Sequence, residues 1–167
     1  MDNNMDNNMD NNMDNNMDNN MDNKIYRVYC SGVFDLFHLG HMLLFEKIHT
    51  ILSKSNCNFE LIVGIHNDND CQSYKRKPII EENIRYDTVK HAKYVDSIIM
   101  NAPLQITKEF LEEHYIDFVI IGKEYESNHE KNVFFHKGAL EMNNYLYVER
   151  ADIISTSDII RLVKEAE

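Results

Sequence analysis

Only three cysteines occur in the chain, Cys30, Cys57 and Cys71, with neither C-x-x-C spacing nor an even count. No disulfide framework is expected, and reduced thiols point to a cytoplasmic setting. No apolar run approaches the ~20 residues that a bilayer-spanning helix requires, so no membrane span is expected. The polar beginning of the chain lacks the basic start and apolar centre of a secretory signal. Positive charge is also scarce, with 17 Lys and Arg against 28 Asp and Glu, a formal net charge of −11. Binding a polyanion ordinarily takes a basic face, so nucleic acid is not expected as the main partner.

What is present divides unevenly. Residues 1–23 run MDNN five times and then MDN, with six of the nine Met and no basic residue. Asn and Asp disfavour helix interiors and offer little apolar surface to bury, so this repeat is expected to be disordered. Setting aside its six Asp takes the formal charge from −11 to −5. Residues 24–167 have the length of one ordinary domain with one core.

From Lys24 onward, short β-rich runs alternate with stretches of helical period. Strands are expected at Ile25–Cys30, Phe59–Ile65, Tyr94–Met100, Asp117–Ile121 and Asn144–Val148. Helices are expected at Met42–Leu52, Glu81–His91, Lys108–His114 with Thr107 as N-cap, Asn132–Met142, and Thr156–Glu165 with Ser155 starting it. His66–Lys77 reads as a polar loop. Strict alternation implies an α/β fold, a doubly wound five-stranded parallel sheet covered on both faces. In such sheets ligands sit outside the carboxyl ends of the strands, where the winding switches direction. The loops after strands one, two, four and five should therefore line one crevice.

Four constellations fall in those loops. Cys30–Phe45, CSGVFDLFHLGHMLLF, is a strand, a turn at Ser31 and Gly32, and a helix start carrying His38 and His41 on either side of Gly40. A helix start attracts anions, and a residue without Cβ lets a phosphate approach the backbone, so this is a candidate triphosphate site. Zinc ligation by the two histidines, or plain surface histidines, are the competing readings. Lys75-Arg76-Lys77 is a dense cationic run that serves either as a solvated loop or as a cover over bound phosphates. Arg150 to Asp158 offers hydroxyls at Ser155, Thr156 and Ser157 at a helix start, where capping and phosphate binding use the same geometry. Asp35 can make an Asx-type turn bond, Arg85 can be an ordinary helix-surface charge, and Asp96 flanks the third helix–strand unit.

At these residues the chain resembles the cytidylyltransferase family of nucleotidyltransferases, whose signature is a His-x-Gly-His turn followed late in the domain by Ile-Ser-Thr-[Ser/Thr]. GVFDLFHLGH and ISTSDII match both motifs. VGIHND, ENIRYDTVKHAKYVD and NAPLQITKEFLEEHYIDFV are similar to the phosphocholine and phosphoethanolamine members. The resemblance implies a Rossmann-like sheet, a homodimer, and transfer of a nucleoside monophosphate from a triphosphate, usually CTP, to a small phosphorylated alcohol. Mg²⁺ would accompany the triphosphate and pyrophosphate would leave; no metal is expected on protein ligands.

Carried over by motif, His38, His41, Lys75 and Arg150 would be catalytic, with Lys77 the alternative to Lys75. Gly32, Phe34, Asp35, Gly40, Lys77, Arg85, Ser155, Thr156 and Ser157 would bind nucleotide. Asp68, Lys123, Glu124 and Tyr125 would contact the acceptor. The family commonly reads Arg-Thr-Glu-Gly where this chain has Arg150-Ala-Asp-Ile153, and paired carboxylates where it has Gly122-Lys123-Glu124-Tyr125. The Gly-x-acid-Tyr pattern is similar to sugar-phosphate members that transfer AMP, which makes a sugar-phosphate nucleotidyltransferase the alternative activity. An inactive nucleotide-binding regulator is the non-enzyme alternative.

Overall fold

A computed structural model describes residues 24–166. The MDNN repeat, expected to be disordered, lies outside the described residues. Five parallel strands form one sheet in the order β3-β2-β1-β4-β5. They are β1 (Ile25–Gly32), β2 (Asn58–Ile65), β3 (Ser97–Met100), β4 (Phe118–Gly122) and β5 (Tyr145–Val148). The helices are α1 (Leu39–Ser53), α2 (Asp68–Tyr74), α3 (Glu82–Lys90), α4 (Lys108–Glu113), α5 (His129–Met142) and α6 (Thr156–Glu165), with one 3₁₀ turn at Lys123–Tyr125.

The chain winds outward from β1 through β2 to β3, then returns to the other side of β1 as β4 and β5. The switch in direction falls between the carboxyl ends of β1 and β4, which is where parallel sheets bind ligands. Alternating side chains of the central strands feed two apolar layers. Val28, Cys30, Leu61 and Val63 pack with Phe45, Ile48 and Val89 on one face. Tyr29, Ile62, Val119 and Ile121 pack with Ile106, Leu111 and Ala139 on the other.

Four expectations are corrected. The polar stretch His66–Lys77 contains α2, because the Asn67 side chain caps it by accepting from Asp70 N–H at 2.7 Å. The third strand begins at Ser97 rather than Tyr94, since Tyr94 takes φ 72° and the Asp96 carboxylate accepts from Leu61 N–H at 2.7 Å. Helix α1 starts three residues before Met42, with His38 as its cap, and α5 starts at His129 with Asn128 as its cap.

Helix α5 is broken at His136, whose φ/ψ of −123°/23° are not helical. The backbone groups freed by the break bond to one residue of the loop between β3 and α4: Ile106 N–H donates to Phe135 C=O at 2.7 Å, and Gly138 N–H donates to Ile106 C=O at 2.8 Å. A Cβ on Gly138 would stand 2.3 Å from the backbone carbon of Thr107. Gly138→Ala is expected to lower stability by at least about 2 kcal/mol, because backbone cannot yield as a flexible side chain would. A urea midpoint unchanged from the parent protein would contradict this packing.

Candidate active site

A cavity of about 790 Å³ opens at the switch point. Its walls come from the β1–α1 turn, the end of α2, the segments after β4 and β5, and the start of α6. The four loops grouped by chain order alone do meet at this edge.

The His-x-Gly-His segment forms the first turn of α1. His38 is the N-cap, and its Nδ1 accepts from Gly40 N–H at 3.1 Å. His41 Nδ1 in turn accepts from His38 N–H at 3.4 Å, completing a reciprocal capping box, and the rings stack at 3.9 Å. With Nδ1 accepting, each neutral imidazole carries its proton on Nε2 and can donate from there. Burial, reinforced by His38 and Arg150, holds the His41 pKa at about 3. Burial also lowers that of His38, against an opposing pull from Asp158. The pair therefore offers neutral N–H donors beside a helix start.

Gly40 is required by close approach. A Cβ there would lie 2.8 Å from Ile154 C=O, so the segment leading into α6 rests directly on the His turn. Ser155 caps α6, accepting from Asp158 N–H at 3.2 Å and donating to its Oδ2 at 2.6 Å. Thr156 Oγ donates to Asp35 C=O at 2.9 Å. Both hydroxyls thus have structural bonds, while the helix start itself faces the cavity.

Asp35 is the hub between these segments. It is buried, and its carboxylate accepts from Ile79 N–H at 3.0 Å and Ile80 N–H at 2.9 Å, with Arg76 at 3.5 Å. Its neighbours Phe34 and Leu36 take φ of 54° and 47°, a left-handed backbone that these bonds hold in place. The cavity's cations are Lys75, Arg76 and Arg150. Burial, then Arg150 and Arg76, lowers the Lys75 pKa, so an anion placed among them is favoured. Arg150 pairs with Glu124.

Of the residues singled out from sequence, His38, His41, Gly32, Phe34, Asp35, Gly40, Lys75, Arg150, Ser155, Thr156, Ser157, Glu124 and Tyr125 line the cavity. Four do not. Arg85 is 1% exposed, and its guanidinium is consumed inside, donating to the carbonyls of Ile80, Val33 and His66 and to Asp68 Oδ1. Asp68 is thereby an ion-pair partner rather than a wall of the pocket. Lys77 and Lys123 are not among the residues that line the cavity, so the lysine expected near the acceptor is absent from its wall. The reading from sequence missed His66, Tyr74, Phe135 and His136, which do line it. Among the described residues no cluster of three or more His, Cys, Asp or Glu could hold a metal ion. Cys30 also borders the cavity, but its thiol is buried in the core and burial pushes its pKa up to about 12, which excludes it as a nucleophile near neutrality.

The Cytidylyltransferase-like family model matches residues 29–162. Choline-phosphate cytidylyltransferase A of Rattus norvegicus is 40% identical over 141 residues, 83% of this chain and 37% of the relative. Ethanolamine-phosphate cytidylyltransferase of Dictyostelium discoideum is 28% identical over 138 residues, 82% of this chain and 36% of the relative. The chain thus spans little more than a third of the length of these relatives. Among solved structures, the lipopolysaccharide core biosynthesis protein from Thermoplasma volcanium superposes with a TM-score of 0.57 at 22% identity, covering 77% of this chain and 100% of that one. That likeness is one of fold.

Proposed function

The chain belongs to the cytidylyltransferase-like family, and on that premise we propose that it transfers CMP from CTP to a small phosphorylated alcohol, phosphoethanolamine or phosphocholine, and releases pyrophosphate. The observation that carries this reading is the meeting of two capped helix starts, at His38 and Ser155, with Lys75 and Arg150 in one cavity. Such a cradle suits a phosphate chain.

In the reaction a phosphate oxygen of the acceptor attacks the α-phosphorus in line, and the bond to the departing pyrophosphate breaks. Positioning and charge stabilisation suffice, with no covalent enzyme intermediate. Nε2–H of His38 and of His41 would donate to phosphate oxygens. Lys75 and Arg150 would neutralise charge as it moves onto the leaving group. Arg150 would exchange Glu124 for the nucleotide's phosphates. Mg²⁺ would arrive with the nucleotide rather than on a set of protein ligands, and would supply positive charge to the triphosphate.

A homodimer is part of this proposal. Leu39, Met42 and Ile153 are 49%, 48% and 60% exposed beside the His turn and offer an apolar face to a second copy. A cytoplasmic setting is suggested by Cys30, Cys57 and Cys71, all free thiols. Among the described residues no helix is long and apolar enough to cross a membrane. Glu124 and Tyr125 on the wall favour, as a second reading, a sugar-phosphate acceptor. Pyrophosphate release measured over CTP and ATP against phosphoethanolamine, phosphocholine, glycerol 3-phosphate and a heptose phosphate decides between them. CTP with an amino-alcohol phosphate is expected to give turnover at least about tenfold above every other pair. ATP with a sugar phosphate as the best pair would overturn the first reading.

A further inference from the structure

The cavity that holds Lys75 and Arg150 is also walled by aromatic rings and by two histidines that the proposed chemistry leaves without a task. Tyr125 stands edge-on to His136 at 4.8 Å and to Phe135 at 5.8 Å, and Tyr74 meets Phe135 at 5.6 Å. His66 and His136 are 6% and 7% exposed, and the cavity is the space that both rings face.

Their hydrogen bonds fix which edge each ring presents. His66 Nδ1 lies 2.9 Å from Ala102 C=O, a group that can only accept, so Nδ1 carries the proton. His136 Nδ1 lies 3.0 Å from Asn132 Oδ1, while the amide Nδ2 donates to Tyr147 Oη at 2.6 Å, so here too Nδ1 donates. Burial lowers both imidazole pKa values, that of His136 to about 4, and His66 further opposes a proton on His136. Two neutral rings thus keep a bare Nε2 lone pair each, neither with a protein partner among the described residues. The break in α5 at His136, bolted to Ile106, aims the second ring inward.

We propose that His66 and His136 determine acceptor specificity, selecting a phosphorylated alcohol whose tail ends in a protonated amine with N–H groups over its trimethylated counterpart. The proposal rests on the CMP-transfer reading above and names the acceptor class for that same site. A protonated primary amine can donate to both Nε2 atoms while the neighbouring rings of Tyr74 and Tyr125 stabilise its charge. A trimethylammonium is received by the aromatic rings equally but has no hydrogen to give, so it dries two acceptors and pairs neither. A polyhydroxyl tail has donors but no charge for the rings to stabilise.

The test compares kcat/KM for phosphoethanolamine, phosphocholine and glycerol 3-phosphate with CTP, using the full chain. Phosphoethanolamine is expected to exceed phosphocholine by at least about tenfold, as when a site's buried polar groups are left unpaired. His66→Asn and His136→Asn retain an N–H near the Nδ1 position but delete Nε2. Each is expected to bring the ratio toward one by raising KM for the amine, leaving KM for CTP unchanged. His66→Gln, which restores an acceptor near Nε2, is expected to recover part of the preference and serves alone should His136→Asn not fold. Equal or better use of phosphocholine, a best rate with glycerol 3-phosphate, or an unaltered ratio in the Asn variants would overturn the proposal. Absence of turnover with every acceptor would instead overturn CMP transfer. Calorimetric binding of the two amino-alcohol phosphates to the CTP-loaded protein then decides specificity by the same tenfold criterion.

Discussion

Replacing His38 by Asn is expected to lower turnover of CTP and its acceptor by about 10²–10³-fold while the protein stays folded, the usual cost of losing one preorganised donor. Asn retains a side-chain acceptor at the position that caps Gly40 N–H, so α1 keeps its start. What disappears is the Nε2–H that faces the cavity. His38→Ala removes both, and its stability should fall by a further ~1 kcal/mol through the lost cap. Circular dichroism and a urea midpoint verify the fold, and pyrophosphate release reads the chemistry. If the Asn variant retained turnover within about threefold of the parent, the assignment of His38 as a phosphate donor would be untenable.

Arg85→Met is expected to cost about 3–5 kcal/mol, a large part of the 5–15 kcal/mol that holds a typical domain together. The guanidinium donates to Ile80 C=O at 2.9 Å, His66 C=O at 3.0 Å and Asp68 Oδ1 at 2.7 Å, and also to Val33 C=O. These acceptors belong to the turn after β1, the residue that follows β2, the start of α2, and the segment before α3. Met fills a similar volume but leaves three carbonyls and a carboxylate without partners in the interior. Lys should rescue little, because one ammonium cannot span the directions a planar fork reaches. A parent-like denaturation midpoint for Arg85→Met would show that those oxygens find other donors.

Arg85 also shows where reading the sequence stops. An arginine in ENIRYDTVK looks like the charged face of a surface helix, and nothing in the spacing says that it points inward. The strands were legible because the apolar runs FELIVGI and DFVII are short, β-rich and bounded by polar turns. The His turn was legible because a glycine between two histidines after a strand has few other uses. Helix α2 was hidden: its one buried anchor is Cys71, and its start depends on the Asn67 side chain, so composition alone reads as loop. His66 follows β2 directly, and the carboxyl-end rule that drew attention to the lysines applied to it equally. His136 was beyond reach, because only the break in α5 turns a mid-helix residue toward the sheet edge. Lys123 misled by adjacency, since it precedes two residues that line the cavity and does not line it itself.

The bond from Thr156 Oγ to Asp35 C=O joins residues 121 apart in the chain, and Ile154 presses on Gly40 across a comparable interval. During synthesis the early histidine turn therefore leaves the ribosome long before the residues that buttress it exist. Contacts of such long range are the slow ones to form. The cavity at the switch point is complete only when α6 has docked, so a nascent or clipped chain can possess the signature motif and still lack a formed pocket.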